Sequence, residues 1–343
     1  MLNVGLVGFG FAGQVFHAPV IRAVDGLRLT TIVRRSREPD SRYPDVAFVA
    51  SVDELLARPV DLVVIATPNP SHHPIAAQCL HAGRHVVIDK PFTTTLAETE
   101  DLLGLAAAKS RVLSAYQNRR YVGDFVTVQR VVQDGVLGRV TSFECHFDRF
   151  RPALRAGAWR ERPEPGSGVW FDLGPHLLDQ TLVLFGVPEA LAADIRTERE
   201  GAEADDAFDV TLYYPRMRAL LRASVLTAAP GPSFLVHGTE GSFTKYGLDP
   251  QEAALKAGRS PTEADWDADP PELYGRLTTP DGTRPVPTIP SNYTHYYENV
   301  RDAIRGSKAL AVGPDAIRNV MRGLELGVVS SRERRALPWH ASP

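Results

Sequence analysis

The sequence predicts an α/β protein of two domains, a doubly wound parallel sheet over residues 1–118 and an α+β domain over residues 119–343. Three observations carry this reading. At 343 residues the chain is longer than a single hydrophobic core usually grows. From Val4 to Asn118 short apolar runs alternate with longer amphipathic segments, the rhythm of βαβ units covered on both faces. Beyond Asn118 the rhythm gives way to long stretches of alternating polarity, which suit strands with one buried face.

Taken in order, the first domain offers the strands VGLVG, LRLTTIV, DLVVIAT, RHVVID and RVLSAY. Ser51 with Glu54 and Thr95 with Glu98 have the spacing of capping boxes, and Gly83 stands where a helix stops. In the second domain a helix over residues 123–134 precedes RVTSFECHFDRF, FDVTLYYP, RALLRASVLT and SFLVHGTEGSFTKY, which read as antiparallel strands. The last of these folds back as a hairpin across Gly238 to Gly241. Residues 247–291, rich in Pro, Gly and charge, read as a long loop that is either functional or loosely ordered. One short helix interrupts it, capped by Asp249 and Glu252 and stopped by Gly258, and amphipathic helices over 292–305 and 314–330 close the chain.

Composition excludes several function classes. A formal charge of −3 supplies no basic field for nucleic acid. Cys79 and Cys145 form neither a disulfide framework nor a paired-cysteine zinc spacing, which fits a reducing cytoplasm. Met1 leads straight into NVGLVG without a basic n-region, and no apolar run approaches bilayer-spanning length, so neither export by that route nor a membrane role is expected. His17, His72, His73 and His295 lack metal-ligand spacing, and no metal is expected.

Chemistry enters at Gly8-Phe9-Gly10-Phe11-Ala12-Gly13, which follows a strand and opens a helix. In such a turn the first Gly permits the bend, the second lets backbone approach a pyrophosphate, and the third lets helix pack on strand; the helix N-terminus favours the phosphate charge. Gly8, Gly10, Phe11, Ala12 and Gly13 are therefore candidate dinucleotide contacts. After the second strand, where NAD binders usually carry an acid for the ribose 2′-hydroxyl, this chain has Arg34-Arg35-Ser36-Arg37 and no carboxylate before Glu38. Guanidinium groups suit a 2′-phosphate, so NADP(H) is expected ahead of NAD(H). Thr67, Pro68 and Asn69, with His72 beyond them, and Asn118 follow strands at the same sheet edge and join the cofactor candidates.

The run VVIDKPFT places Asp89 and Lys90 at the carboxyl end of a strand, where ligands of open α/β sheets bind, so both join the cofactor candidates. Farther on, GSGVWFDLGPHLLDQ sets Asp172 and His176 four residues apart among glycines and bulky apolar groups. If the helix already includes Asp172, both groups share a face and Pro175 lies in the first turn; if Pro175 begins the helix, the shared face is lost. Trp159, Arg160 and Tyr293 are weaker candidates for bordering a substrate.

The segments GFGFAG, TPNPSHH, IDKPF and Asp172-x-x-x-His176, in this order and spacing, resemble the Gfo/Idh/MocA oxidoreductases across nearly the whole chain. GFGFAGQVFHAP and KYGLDPQEAALKAG look like the subgroup that contains NADP-dependent scyllo-inositol dehydrogenases. The family usually has Glu-Lys-Pro where this chain has Asp89-Lys90-Pro91. The resemblance implies an N-terminal Rossmann domain and a C-terminal domain built on a large open, mostly antiparallel sheet, through which copies assemble as a homodimer or homotetramer. It also implies that Asp172 and His176 project into the cleft opposite the nicotinamide, with Lys90 reaching in from the Rossmann side.

On that resemblance Lys90, Asp172 and His176 are the catalytic candidates. Imidazole, with an ordinary pKa near 6.5, suits the hydroxyl proton that must leave as hydride moves. His176 is expected to act as base in oxidation and acid in reduction, Asp172 to orient it or bind a neighbouring hydroxyl, and Lys90 to stabilise the alkoxide. The expected substrate is a secondary hydroxyl of a cyclic polyol or sugar, inositols included. Two alternatives stay open: a redox-assisted glycosidase without net cofactor turnover, and a dinucleotide-binding sensor without chemistry.

Overall fold

The computed structural model describes residues 1–155 and 161–340. The chain begins with β1 (Leu2–Val7), after which residues 11–22 are helical: a π-helical stretch, Gly13–His17, runs into α1 (Ala18–Arg22). There follow β2 (Leu27–Val33), β3 (Ala47–Val49), α2 (Val52–Leu56), β4 (Leu62–Ile65), α3 (His72–His81), β5 (His85–Ile88), α4 (Leu96–Ala108) and β6 (Leu113–Ala115). These six strands form one sheet in the order β3-β2-β1-β4-β5-β6, every neighbouring pair parallel. The order reverses between β1 and β4, which opens a crevice at the carboxyl ends of the strands.

The second part runs α5 (Gly123–Gln133), β7 (Val140–His146), α6 (Gly168–Phe185), β8 (Ala190–Arg196), β9 (Ala207–Tyr214), β10 (Met217–Ser224), β11 (Phe234–Gly238) and β12 (Ser242–Lys245). The chain continues through α7 (Pro250–Lys256), β13 (Gly275–Thr279), β14 (Gly282–Val286), α8 (Thr294–Ile304), α9 (Pro314–Glu333) and β15 (Leu337–Pro338). Nine of these strands make a mixed sheet, β14-β13-β12-β11-β7-β10-β9-β8-β15. All neighbours are antiparallel except β7 with β10, so the first of the alternating stretches departs from the antiparallel reading. Its neighbour β10 arrives only after α6 and the two strands β8 and β9, and lies down in the same direction.

Several local expectations are met and others revised. Thr95 and Glu98 complete a capping box on α4, and Gly83 takes φ +73° just past α3. Ser51 caps α2 by accepting the Glu54 N–H, but the Glu54 carboxylate reaches the Ala50 N–H at 3.4 Å, so the box closes one residue early. The span 247–291 is better ordered than its composition suggested, for it carries the β13–β14 hairpin. That hairpin escapes a periodicity test because β14 is an edge strand with both faces largely exposed and a proline within it. Buried Lys245 also pins this span, its Nζ donating at 2.8 Å to the Asp269 carboxylate and to the carbonyls of Tyr246 and Leu273.

By packing, the chain forms two compact units. One comprises residues 1–121, 250–267 and 292–318, and the other 122–249, 268–291 and 319–343. Among the described residues no helix is long and apolar enough to cross a membrane.

In the second unit α6 lies on the buried face of the large sheet. Trp170 packs edge-on against Phe208 at 4.8 Å and donates its indole N–H to the Leu324 carbonyl. Gly174 and Gly327 make room for that indole, since a Cβ on either would overlap the ring. The helix starts at Gly168 and includes Asp172, which settles the alternative left by the sequence; Pro175 then lies in the third turn rather than the first. Its ring removes the N–H that would otherwise serve the Phe171 carbonyl.

The first turn of α6 is held by Asp205, whose carboxylate accepts the Trp170 N–H at 2.6 Å while its carbonyl accepts the Val169 N–H. Gly168, at φ +80°, is where this carboxylate presses against the helix. Burial pushes the Asp205 carboxyl up to about 6, against the backbone hydrogen bonds that pull it down. Because the folded-state value lies above the ordinary one, the folded protein keeps a proton that the unfolded chain releases, so this group's contribution to stability falls as pH rises from 4 to 6. Asp205→Asn keeps the acceptor and removes the titration. Relative to wild type, the variant is expected to gain on the order of 1–2 kcal/mol between pH 4 and pH 7 in denaturant melts; parallel stability curves would contradict the assignment.

Candidate active site

The crevice edge of the first unit is built on glycine geometry. Gly8 has φ +97° and a Cβ there would sit 2.6 Å from the Ala66 carbonyl oxygen. A Cβ on Gly13 would overlap the Gly8 carbonyl oxygen, so the third glycine lets the helix close on the turn that precedes it. Gly10 has nothing within 4 Å of its would-be Cβ, leaving open space beside the backbone where a pyrophosphate would lie. Phe11 is 59% exposed, and α7 packs beside this helix, with Lys256 Nζ 5.6 Å from the Phe11 ring centroid. The π-helical turn arises where the Ala18 N–H bonds the Gly13 carbonyl five residues back, next to Pro19, which has no N–H to give.

The basic loop after β2 divides its labour. Arg34 lies over the Phe48 ring at 4.3 Å and donates to the carbonyls of Ser36 and Glu38, so it stiffens the loop from within. Arg37 pairs with Glu54, and Arg42 makes a two-pronged contact with Asp40, whose carboxyl this arginine lowers to about 2. Arg35 and Ser36 are exposed; Ser36 Oγ accepts the Glu38 N–H. Arg42 also bonds the Gln14 amide oxygen, tying the loop to the glycine helix, a link that sequence spacing did not signal.

Thr67, Pro68 and Asn69 follow β4 at the same edge, with Ser71 Oγ donating to Thr67 Oγ1. His72 is fully buried, its Nδ1 3.0 Å from the Pro91 carbonyl and its Nε2 2.9 Å from the Thr67 carbonyl. It therefore braces two crevice loops against each other instead of facing a ligand. Burial pushes its pKa down. Asp89 and Lys90 leave β5 beside it, Asp89 Oδ1 accepting the Lys90 N–H at 2.8 Å. Asn118 opens a 3-10 turn after β6 and is buried.

His17 is the residue that sequence reasoning passed over. It is fully buried, stacks on Tyr116 at 4.3 Å, and has Nδ1 2.6 Å from the Tyr297 hydroxyl and Nε2 3.7 Å from Asp89 Oδ2. Tyr293, expected near substrate, is instead wholly buried among Phe16 and Trp266.

In the second unit Asp172 and His176 lie one turn apart on α6, His176 buried and Asp172 half-buried. Asp172 Oδ2 is 3.8 Å from the Arg149 guanidinium, which in turn covers the Phe147 ring at 4.6 Å. Asp172 also lines a pocket with Arg149, Arg151, Arg199, Glu161 and Asp205. Trp159 and Arg160 lie outside the described residues. Among the described residues no group of three or more His, Cys, Asp or Glu side chains is arranged to hold a metal ion.

Known proteins with the same pattern bear on this geometry. Residues 2–117 match the family model described as "Oxidoreductase family, NAD-binding Rossmann fold", and residues 129–339 match "Oxidoreductase family, C-terminal alpha/beta domain". The chain is 38% identical over 342 residues to the scyllo-inositol 2-dehydrogenase (NADP(+)) IolW of Bacillus subtilis, covering 98% of this chain and 95% of that one. It is 43% identical to the uncharacterized oxidoreductase YdgJ of Escherichia coli, covering 98% of each. Among solved structures, the putative oxidoreductase yvaA from Bacillus subtilis superposes with a TM-score of 0.94 at 37% identity and 98% coverage of both chains.

The three glycines make separable predictions. Gly13→Ala is expected to lower the melting midpoint by several degrees, because the new methyl meets backbone. Gly10→Ala should leave the midpoint in place and weaken dinucleotide binding about tenfold or more, read by fluorescence titration. Equal effects of the two substitutions on both measurements would contradict the division of roles.

Proposed function

The chain belongs to the Gfo/Idh/MocA oxidoreductase family, and from that premise we propose that it is an NADP-dependent dehydrogenase acting on a secondary hydroxyl of a cyclic polyol or sugar, with inositols the first class to test. The observation that carries the substrate class is the full-length similarity to an NADP-dependent inositol dehydrogenase, over a span that contains Lys90, Asp172 and His176. A nicotinamide cofactor fits the residues present: the space beside Gly10 is open to a pyrophosphate, and the glycine helix directs its N-terminal backbone toward it. When bound, the nicotinamide supplies the hydride acceptor.

The protein's own groups then divide the remaining work. Gly8 to Gly13 and the Thr67–Asn69 loop hold the dinucleotide. Arg35 and Ser36 take the 2′-phosphate, and Arg34 keeps their loop in shape. His176 removes the hydroxyl proton in oxidation and returns it in reduction, with Asp172 orienting the imidazole or binding a neighbouring hydroxyl. Lys90 donates to the reacting oxygen and steadies the charge that develops there. Arg149, beside Asp172, fixes that carboxylate's position. Two buried free cysteines support a reducing compartment, and the outward face of β10, where Arg218, Leu220 and Arg222 alternate, supports self-association through the large sheet.

The test is a panel of inositols, aldoses and aldonolactones with both cofactors, following reduced nicotinamide. Wild type is expected to favour NADP, and Arg35→Ala to raise the NADP KM about tenfold with little effect on NAD. Comparable efficiency with both cofactors, or an NAD preference, would overturn this. Lys90→Ala and His176→Ala are each expected to lower kcat by about 10²–10⁴ with dinucleotide affinity retained. Oxidation should rise with pH in wild type and lose that rise in His176→Ala; loss of cofactor binding alone would count against both roles.

A further inference from the structure

Within the first unit a buried polar chain leads to Asp89, the residue before Lys90. Tyr297, on α8, reaches His17 in the π-helical turn at 2.6 Å, and the other face of that imidazole looks at Asp89 at 3.7 Å. Tyr297 and His17 are completely buried, and His17 Nε2 has no hydrogen-bond partner among the described residues. An orphaned buried imidazole nitrogen carries a cost that folding alone does not explain. The Asp89 carboxylate that it faces at 3.7 Å is an acceptor, so we assign the ring proton to Nε2. Nδ1 then accepts from the Tyr297 hydroxyl, which burial keeps protonated. Asp89 in turn has Oδ1 fixed by the Lys90 backbone N–H and Oδ2 facing His17.

We propose that Tyr297 and His17 are positioning residues for Lys90: together they hold the Asp89 carboxylate in place, and through it they aim the lysine at the reacting oxygen. This rests on the role proposed for Lys90 above. The sequence supports the economy of the arrangement. An aspartate at position 89 stops 3.7 Å short of His17, beyond hydrogen-bond reach, and one more methylene would close that distance. The titratable groups facing Asp89 are His17 from the glycine helix, His72 from α3, Lys90 from its own turn and the Tyr296 and Tyr297 hydroxyls from α8, which burial keeps protonated and uncharged. Burial pushes the Asp89 carboxyl up, yet His17, Lys90 and His72 outweigh it and keep it below the usual range. Without His17 the burial penalty is left opposed by less, and Asp89 takes up a proton at higher pH.

The experiment compares His17→Phe, His17→Gln and Tyr297→Phe with wild type, using the full chain, NADP and the best substrate of the panel. His17→Phe keeps a flat ring against Tyr116 but no donor. It is expected to lower kcat about tenfold to a hundredfold, leave the NADP dissociation constant within about twofold, and move the acid limb of the pH profile to higher pH. His17→Gln, which retains an N–H, should recover most of the rate and the original acid limb. Tyr297→Phe should fall between them. In a Lys90→Ala background His17→Phe should add no further loss. An unshifted acid limb in His17→Phe, or equal losses in the Phe and Gln variants, overturns the positioning role while leaving the Lys90 role intact. A fully active Lys90→Ala would instead remove the reading on which the inference rests.

Discussion

The first unit depends on a steric constraint: two residues of the turn after β1 have no room for a Cβ. Gly8 takes a left-handed backbone against the Ala66 carbonyl, and Gly13 lies against the Gly8 carbonyl. With those contacts made, the helix starts close to the sheet at the point where strand order reverses, where the N-terminus of such a helix can offer backbone N–H groups to a phosphate. Everything else at that edge is arranged around the bend. The π-helical turn that follows carries His17 inward, and the loops after β4 and β5 are clasped to each other by the buried His72.

A second constraint operates in the other unit, where α6 must present polar groups from a helix otherwise buried on the sheet. Trp170 wedged between Gly174 and Gly327 sets the helix depth, and Asp205 holds its first turn. Those contacts fix which face Asp172 and His176 share. Of the glycines around this pair in the sequence, Gly174 is explained by the indole it accommodates and Gly168 by the Asp205 carboxylate.

What the sequence makes legible is what local backbone chemistry dictates. The glycine turn, the Thr95–Glu98 box, the Gly83 stop and the hairpin across Gly238 to Gly241 each depend on a few adjacent residues, and each forms as expected. The rest depends on distance. His17 meets Tyr297 across 280 residues, and nothing in FHAP reveals that partner. Tyr293 had the composition of a substrate contact but is buried against Phe16 and Trp266, and His72 had the position of a ligand contact but is buried with a carbonyl oxygen within 3.0 Å of each ring nitrogen, one of which its single N–H serves. Arg149 lies 23 residues before Asp172 with no motif around it, so its pairing becomes visible only when β7 and α6 are in place. Strand β14 is hidden because an exposed edge strand needs no alternation of polarity, and β13, although its buried and exposed residues alternate, buries only Gly275 and Leu277, too little apolar signal to read from sequence.

A nicotinamide held by the residues of the glycine turn would supply the acceptor for the hydrogen that leaves the substrate carbon. That transfer is tested most directly with the best substrate of the panel carrying deuterium at the carbon to be oxidised. The account predicts a primary isotope effect of about 2 or more on the chemical step, and recovery of the label in the reduced nicotinamide. Reduced cofactor that lacks the label, with the deuterium lost to water, would contradict it.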